Sequence, residues 1–356
     1  MLKKLRGHPW KRLGTVSGTL WLSFRTTPSR LAPPSLPEVR GRPYHWLPMT
    51  ADRLSVAVLG PGGVGGFLGA MLARAGDAVL VLASDETARA IAEGGLRIES
   101  QKFGNFDVSV ATAPRLTHPV DACLVTVKAT HLREAVDRVP ASALGSGLVI
   151  PFLNGLEHVE FLRSVYPPAD VVAATIRIET MRAAAGVIRQ TSPFASIEMA
   201  ASASNRRRVE SVAAHLSAAG LRVTVRDDEL AMLWDKFALL APMALVTTHE
   251  RANVGVIRTK RRADTVAVIG EVAAVAGADG VHIDPQAVIG LMDSVPESME
   301  SSMQRDQAAG RPLELDALGG ALLRRAAKAG ISVPVTRRLV DELQTRKRPA
   351  PSSTPA

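Results

Sequence analysis

A glycine cluster, Gly60-Pro-Gly-Gly-Val-Gly-Gly66, stands between the apolar run 54–59 (LSVAVL) and a helical pattern over 67–75. Gly76-Asp77 closes that pattern, and 78–83 (AVLVLA) reads as a second buried strand. A G-x-G-x-x-G run alone is a weak signal. Flanked by a strand, a helix and another strand, it marks a dinucleotide-binding βαβ unit rather than a plain glycine-rich turn. Gly60 permits the tight turn, Gly62 lets backbone approach a pyrophosphate, and Gly65 lets helix and strand pack closely. The free N–H groups that open the helix face the phosphates, so Gly60, Gly62, Gly63, Val64 and Gly65 are the candidate cofactor-binding residues.

An acid at the end of the second strand would bind the ribose of NAD, and a basic residue there would favour NADP. The local sequence is Leu82-Ala-Ser-Asp-Glu86. Ser84 is a candidate donor to a phosphate, Arg89 lies a turn further, and Asp85 is the alternative ribose ligand. Further on, 123–127 (CLVTV) and 147–153 (GLVIPFL) read as strands that end at Lys128 and Asn154. In open α/β sheets ligands bind at the carboxyl ends of the strands. Singly, Lys128 reads equally well as a solvated residue and Asn154-Gly155 as a turn. Together beside one cofactor loop they point to a site. The runs 171–179, 186–190 and 195–199 read as strands of a meander, followed by a helix over 206–219 and a strand over 221–225.

From Asp228 the strand signals stop. Leu230, Leu233, Trp234, Phe237 and Ala241 form one apolar stripe on a helix over 229–248, and Lys236 lies close to that stripe. A lysine desolvated there would have a lowered pKa, which suits a proton donor near neutral pH. The alternative is that Asp235 and Lys236 form the solvated edge of the helix. Further helices are expected over 261–277, 285–292 and 313–328, with 301–306 (SSMQRD) as a loop. Glu314, just after Pro312, is either an acid favoured at a helix N-terminus or a carboxylate that orients the lysine. The expected fold is α/β: a Rossmann-type dinucleotide-binding domain over 52–227, then an all-α domain over 228–345.

The net charge of +9 does not indicate a nucleic-acid partner. Residues 1–48 hold nine Lys or Arg and one acid, Glu38, which leaves 34 basic and 33 acidic residues for the rest. That basic, Pro-rich segment reads as an upstream extension before a start at Met49, an organelle presequence, a weak secretory signal over 13–24, or a disordered tail. Residues 346–356 also read as a disordered tail. Cys123 is the single cysteine, so no intramolecular disulfide forms, which fits a cytoplasmic setting. No apolar run reaches membrane-spanning length; the longest, 230–246, carries Asp235 and Lys236.

Several motifs, in order and at compatible spacing, resemble the ketopantoate reductase (2-dehydropantoate 2-reductase) family over about residues 54–342. They are Leu124-Val-Thr-Val-Lys-Ala129, Phe152-Leu-Asn-Gly155, Leu233-Trp-Asp-Lys236, Ser301-Ser-Met-Gln-Arg-Asp306, Gly310-Arg-Pro-Leu-Glu-Leu-Asp316 and Gly330-Ile-Ser-Val-Pro334. The resemblance implies reduction of a 2-oxo acid to a 2-hydroxy acid, ketopantoate to pantoate in pantothenate biosynthesis, with NADPH and with NAD as the alternative. It implies Lys236 as general acid and Glu314 as the carboxylate that supports it and the bound ligands. It places Lys128 and Asn154 at the nicotinamide and substrate, and Ser302 on the substrate. No metal is implied; a homodimer is allowed.

The chain departs from that pattern where substrate is grasped. The family's asparagines four and eight residues after the lysine are Leu240 and Ala244, and a third is Val254, beside Asn253. Ser84 replaces the usual arginine after the second strand. These losses weaken discrimination for a polar substrate. They point to a less polar 2-oxo acid or another carbonyl compound, with Arg177 and Glu179 as replacement contacts and Arg177 as a candidate carboxylate partner. The alternatives are another two-domain hydroxyacid or polyol-phosphate dehydrogenase, and a nucleotide-binding sensor with a decayed substrate site.

Overall fold

In the computed structural model the described residues are 53–346. The expected extension over 1–48 and the tail beyond Arg346 lie outside them; Arg346 itself ends a helix. Along the chain, β1 (Ser55–Leu59) leads through α1 (Gly63–Ala75) to β2 (Ala78–Leu82), and α2 (Asp85–Gly94) follows. Next come β3 (Leu96–Ser100), β4 (Phe106–Val108), β5 (Ala111–Ala113) and β6 (Ala122–Val125). Two short turns, α3 (Leu132–Ala135) and α4 (Ala141–Leu144), precede β7 (Leu148–Pro151), and α5 (His158–Arg163) follows it. Then β8 (Ala174–Arg177), β9 (Thr180–Ala184), β10 (Val187–Gln190), β11 (Ser196–Ala200), α6 (Arg206–Ala218) and β12 (Arg222–Arg226) complete the strands.

The main sheet has the order β5-β2-β1-β6-β7 and is parallel throughout. Every residue of β1 is buried, as a parallel sheet covered on both faces requires. Ala57 and Leu59 enter one core, Val56 and Val58 the other. The chain first moves outward from β1 through β2, then crosses to the other side of β1 at β6. The direction of winding reverses between β1 and β6, and this is the switch point at whose carboxyl ends α/β sheets take ligands.

The expected meander does not form. β10 pairs with β3 and β9, whereas β8 pairs with β11, which also pairs with β12. Two-residue periodicity identifies a strand but not its neighbour. The expected strand over 171–179 shortens to β8, with a single bridge between Val171 and Val149. β3, β4, β5 and β9 were not anticipated; two of them are three residues long, and β9 is almost wholly exposed.

Among the described residues, every element from Glu229 to Arg346 is helical: α7 (Glu229–Glu250), α8 (Val254–Lys260), α9 (Arg262–Ala278), α10 (Pro285–Ser294), α11 (Ser302–Ala308), a π-helical turn Asp316–Gly320 running into α12 (Ala321–Ala329), and α13 (Pro334–Arg346). Asp228 caps α7, its carboxylate accepting from the Ala231 N–H at 2.9 Å. By length and composition α7 would suffice to cross a membrane, but it packs against α9, α11, α13, β8 and β11. One core runs from the main sheet into these helices, joining Ala57 and Val125 to Trp234, Leu245 and Leu339.

Three helical expectations change. Residues 301–306 are not a loop: Ser301 caps α11, its hydroxyl accepting from the Gln304 N–H at 3.1 Å. The polar sequence SMQRDQA carries no amphipathic stripe to betray that helix. The helix expected over 313–328 begins at Asp316 with the wide π turn, and Glu314 sits just before it. α8 and α13 were also unanticipated.

Candidate active site

The glycine loop is held by packing as much as by its own turn. Gly60 has φ +92°, and a Cβ there would lie 2.6 Å from Val127 Cγ1. A Cβ on Gly65 would collide with the Thr126 hydroxyl and the Gly60 carbonyl. Thr126, at the end of β6, donates to the Leu59 carbonyl at 3.0 Å and the Gly60 carbonyl at 2.8 Å. This tie between adjacent strand ends went unnoticed in the sequence, although Thr126 lies inside the Leu-Val-Thr-Val-Lys-Ala motif. The helix opens at Gly63, four residues earlier than its apolar pattern. Its first N–H groups, at Gly63 and Val64, have no acceptor within the helix and look outward.

Gly62 differs from its neighbours: no atom lies within 4 Å of the Cβ it lacks. The space faces the helix start, where a pyrophosphate would approach, so the loop fits a dinucleotide. Two substitutions therefore separate folding from binding. Gly65→Ala is expected to destabilise the protein by about 1–3 kcal/mol through overpacking. Gly62→Ala is expected to melt within a few degrees of wild type, yet to bind dinucleotide on the order of tenfold or more weakly. Thermal melts and fluorescence titration with NADPH check both. A Gly62→Ala protein with unaltered affinity would remove the loop from the cofactor site.

Ser84 follows β2, beside the glycine loop, and is exposed as the N-cap residue of α2; its hydroxyl reaches Thr87 at 3.3 Å. Lys128 follows β6 and its ammonium pairs with Asp306 on α11. Asp306 is buried and also accepts from Arg311 at 2.8 Å. Asp306 was not singled out in the sequence, though it closes the Ser-Ser-Met motif. Asn154 follows β7. Gly155, with φ +101°, brings this turn so near the π turn that a Cβ would lie 2.5 Å from the Ala317 carbonyl.

That approach delivers Asn154 to Glu314. The Asn154 amide donates to Glu314 Oε2 at 3.1 Å, and the Ala129 N–H donates to Glu314 Oε1 at 3.0 Å. One buried carboxylate thus ties the ends of β6 and β7 to the helical part. A π turn widens the helix just beyond it, a distortion frequent at functional sites.

Lys236 is half-buried on α7. Burial lowers its pKa from the ordinary lysine value to about 8; the guanidinium of Arg177 pushes the same way, and the carboxylate of Glu314 opposes both. The solvated-edge alternative therefore holds for Asp235, which is exposed, and not for Lys236. His158, on α5 just after the Asn-Gly turn, is buried with neither ring nitrogen hydrogen-bonded. Burial, with a smaller contribution from Lys236, lowers its pKa to about 3, so the imidazole is neutral.

Ser302 is exposed on the first turn of α11, whereas its neighbour Ser301 is buried and shares a 2.8 Å hydrogen bond with Thr247. The three lost asparagine positions are not rescued nearby: Ala244 and Val254 are buried, and the Asn253 side chain is used to cap α8. Arg177 pairs with Glu198 at 2.6 Å, and Glu179 with Arg305 on α11 at 2.9 Å.

The chain is similar to known proteins in both sequence and fold. The family model for ketopantoate reductase PanE/ApbA matches residues 56–203, and the model for its C-terminal part matches residues 228–347. A 2-dehydropantoate 2-reductase of Halobacterium salinarum is 30% identical over 308 residues, covering 83% of this chain and 99% of that enzyme. The crystal structure of a PanE/ApbA family ketopantoate reductase from Ralstonia eutropha JMP134 superposes with a TM-score of 0.75 at 29% identity, over 83% of this chain and 98% of that one. D-mandelate dehydrogenase, solved with NADH and anilino(oxo)acetate, shares the fold at a TM-score of 0.77 and 20% identity, over 83% of this chain and 98% of that one. With both halves matched in order, the chain belongs to the ketopantoate reductase PanE/ApbA family.

Proposed function

We propose that this chain reduces a 2-oxo acid to the 2-hydroxy acid with a reduced nicotinamide dinucleotide, NADPH by preference and NADH as the alternative. The observation that carries this reading is the Glu314 bridge to Asn154 and Ala129 at the carboxyl ends of β6 and β7, with Lys236 within electrostatic reach of that carboxylate. In this reading residues 52–227 hold the dinucleotide and residues 228–345 bring the proton donor to it. A small-molecule substrate and a soluble dinucleotide fit a cytoplasmic enzyme.

Gly60, Gly62, Gly63, Val64 and Gly65 receive the pyrophosphate, and Ser84 stands at the adenosine ribose. When bound, the dinucleotide supplies hydride to the substrate carbon. Lys236 donates a proton to the carbonyl oxygen, and its positive charge stabilises the negative charge that develops there. Glu314 keeps that ammonium charged and fixes Asn154, while Lys128 and Asn154 line the nicotinamide and substrate. Ser302 hydrogen-bonds the substrate from α11. Ketopantoate is the first substrate to test. A less polar 2-oxo acid is the second, because Leu240, Ala244 and Val254 leave that wall apolar.

The test is loss of reduced-nicotinamide absorbance with purified protein, either dinucleotide, and a panel of 2-oxo acids that includes ketopantoate. Turnover of at least one acid is expected; binding of dinucleotide with no turnover of any would favour a sensor. A general acid must carry its proton before reaction. Since Lys236 titrates at about 8, kcat for reduction is expected to be level below that pH and to fall about tenfold per unit above it. A profile still level at pH about 10, where an ordinary lysine begins to titrate, would remove Lys236 from the proton-transfer step.

A further inference from the structure

We propose that Arg177 receives the carboxylate of the substrate, in place of the asparagines that this chain lacks. The proposal rests on the reductase reading and specifies how the acid end of the substrate is held.

β8, β11 and β12 form a small sheet with two unlike faces. Ile176, Ile197 and Met199 point into the core. Thr175, Arg177, Glu198 and Arg226 occupy the opposite face, and α7 packs against β8 and β11. On that face a charge ladder runs from strand to helix. Arg177 Nη1 donates to Glu198 Oε2 at 2.6 Å, and Thr175 Oγ1 reaches the same oxygen at 3.4 Å. Arg226 donates to Glu198 Oε1 at 3.2 Å and to Asp235 at 2.8 Å. Asp235 immediately precedes Lys236 on α7. Burial would raise the Glu198 pKa, but its bonds to Arg177 and Arg226 outweigh that and hold it below the ordinary carboxylate range.

The ladder leaves Arg177 at its open end. Glu198 and Asp235 are shared with Arg226, so the two acids balance the two arginines, and nothing in the ladder neutralises Lys236. Arg177 uses Nη1 for Glu198, which leaves the Nε–Nη2 edge, the edge whose paired donors match a carboxylate. Its side chain is 39% exposed, against 18% for Glu198, so the guanidinium is anchored at one end and accessible at the other. The Lys236 ammonium lies near enough to feel its charge. Two residues further on, Glu179 pairs with Arg305, one turn from Ser302 on α11. The end of β8 is thereby braced between the lysine helix and the serine helix. A 2-oxo acid has its carboxylate one bond from the carbonyl, so a guanidinium whose charge reaches Lys236 can take the carboxylate while the ammonium takes the carbonyl oxygen.

Steady-state kinetics and calorimetry with Arg177→Gln and Arg177→Lys test this. Glu198 keeps Arg226 as partner in both variants, and melting curves close to wild type are expected. For the best 2-oxo acid, Arg177→Gln is expected to raise KM on the order of 100-fold while kcat falls far less. KM for the methyl ester of the same acid should change less than about threefold. Arg177→Lys should recover part of the loss, because a point charge replaces a two-donor edge. Oxamate, an unreactive 2-oxo acid mimic, should bind the NADPH-loaded wild type and lose affinity in Arg177→Gln. Equal losses for acid and ester, or an unchanged KM and oxamate affinity, overturn the proposal. A wild type that binds oxamate through Arg177 but turns over no 2-oxo acid overturns the reductase reading and leaves the carboxylate site standing.

Discussion

Lys236→Ala is expected to lower kcat for 2-oxo acid reduction by about 100- to 10,000-fold, the range for loss of a positioned general acid. The loss should fall on kcat more than on KM, because the ammonium acts most strongly on charge that develops during reaction. The dissociation constant for NADPH should stay within about threefold of wild type, since the glycine loop lies on other elements. The fold should persist: Lys236 is half-buried, and among the described residues no hydrogen bond ties its ammonium. Stopped-flow measurement of NADPH oxidation and a separate fluorescence titration distinguish these effects. A variant with wild-type kcat would exclude Lys236 as donor.

Glu314→Ala should be nearly as damaging, for a different reason. The carboxylate accepts from the Ala129 N–H and from the Asn154 amide, so its loss strands two donors. Each stranded group costs about 1–3 kcal/mol where water cannot replace the acceptor. Asn154 would no longer be fixed, and kcat/KM should fall on the order of 100-fold or more. The sign of the pH effect is also set. Glu314 opposes the lowering of the Lys236 pKa, so its removal drops that pKa further. The fall of rate with pH should then begin below about 8. Glu314→Gln should be milder, because one amide oxygen can still accept from Ala129 while the NH2 opposes Asn154. An alanine variant with an unshifted pH profile would show that Glu314 does not act on the lysine.

Much of this site was legible in the sequence because its signals are local. The glycine loop is a run of residues whose spacing reflects one turn. Lys128 and Asn154 each end an apolar run, and apolar runs of this length mark buried strands. What joins them is not local. Glu314 touches Ala129 and Asn154 across 185 and 160 residues, and Asp306 touches Lys128 across 178. No periodicity carries such information; position after Pro312 left Glu314 open between helix-end acid and lysine partner, the family motifs favoured the second, and nothing singled out Asp306. The failed meander has the same origin. β9 and β10 are short strands whose partners are chosen by packing over α1, where Gly66 admits Ile188. α11 escaped because its polar sequence is specified by the Ser301 cap rather than by an apolar stripe. His158 gave no sequence signal at all: a histidine after an Asn-Gly turn looks solvated, and its burial next to Lys236 emerges in the folded chain.

The claim at the centre is that Lys236 is a partly dried ammonium whose own ionisation governs turnover. Competitive acylation of the native protein across a pH series, read at Lys236 by peptide mass spectrometry, measures that ionisation directly. A midpoint near 8 is expected, coinciding with the fall in kcat for NADPH-dependent reduction. A labelling midpoint at the ordinary lysine value of about 10.4, or a rate profile that falls at a different pH from the labelling, would contradict it.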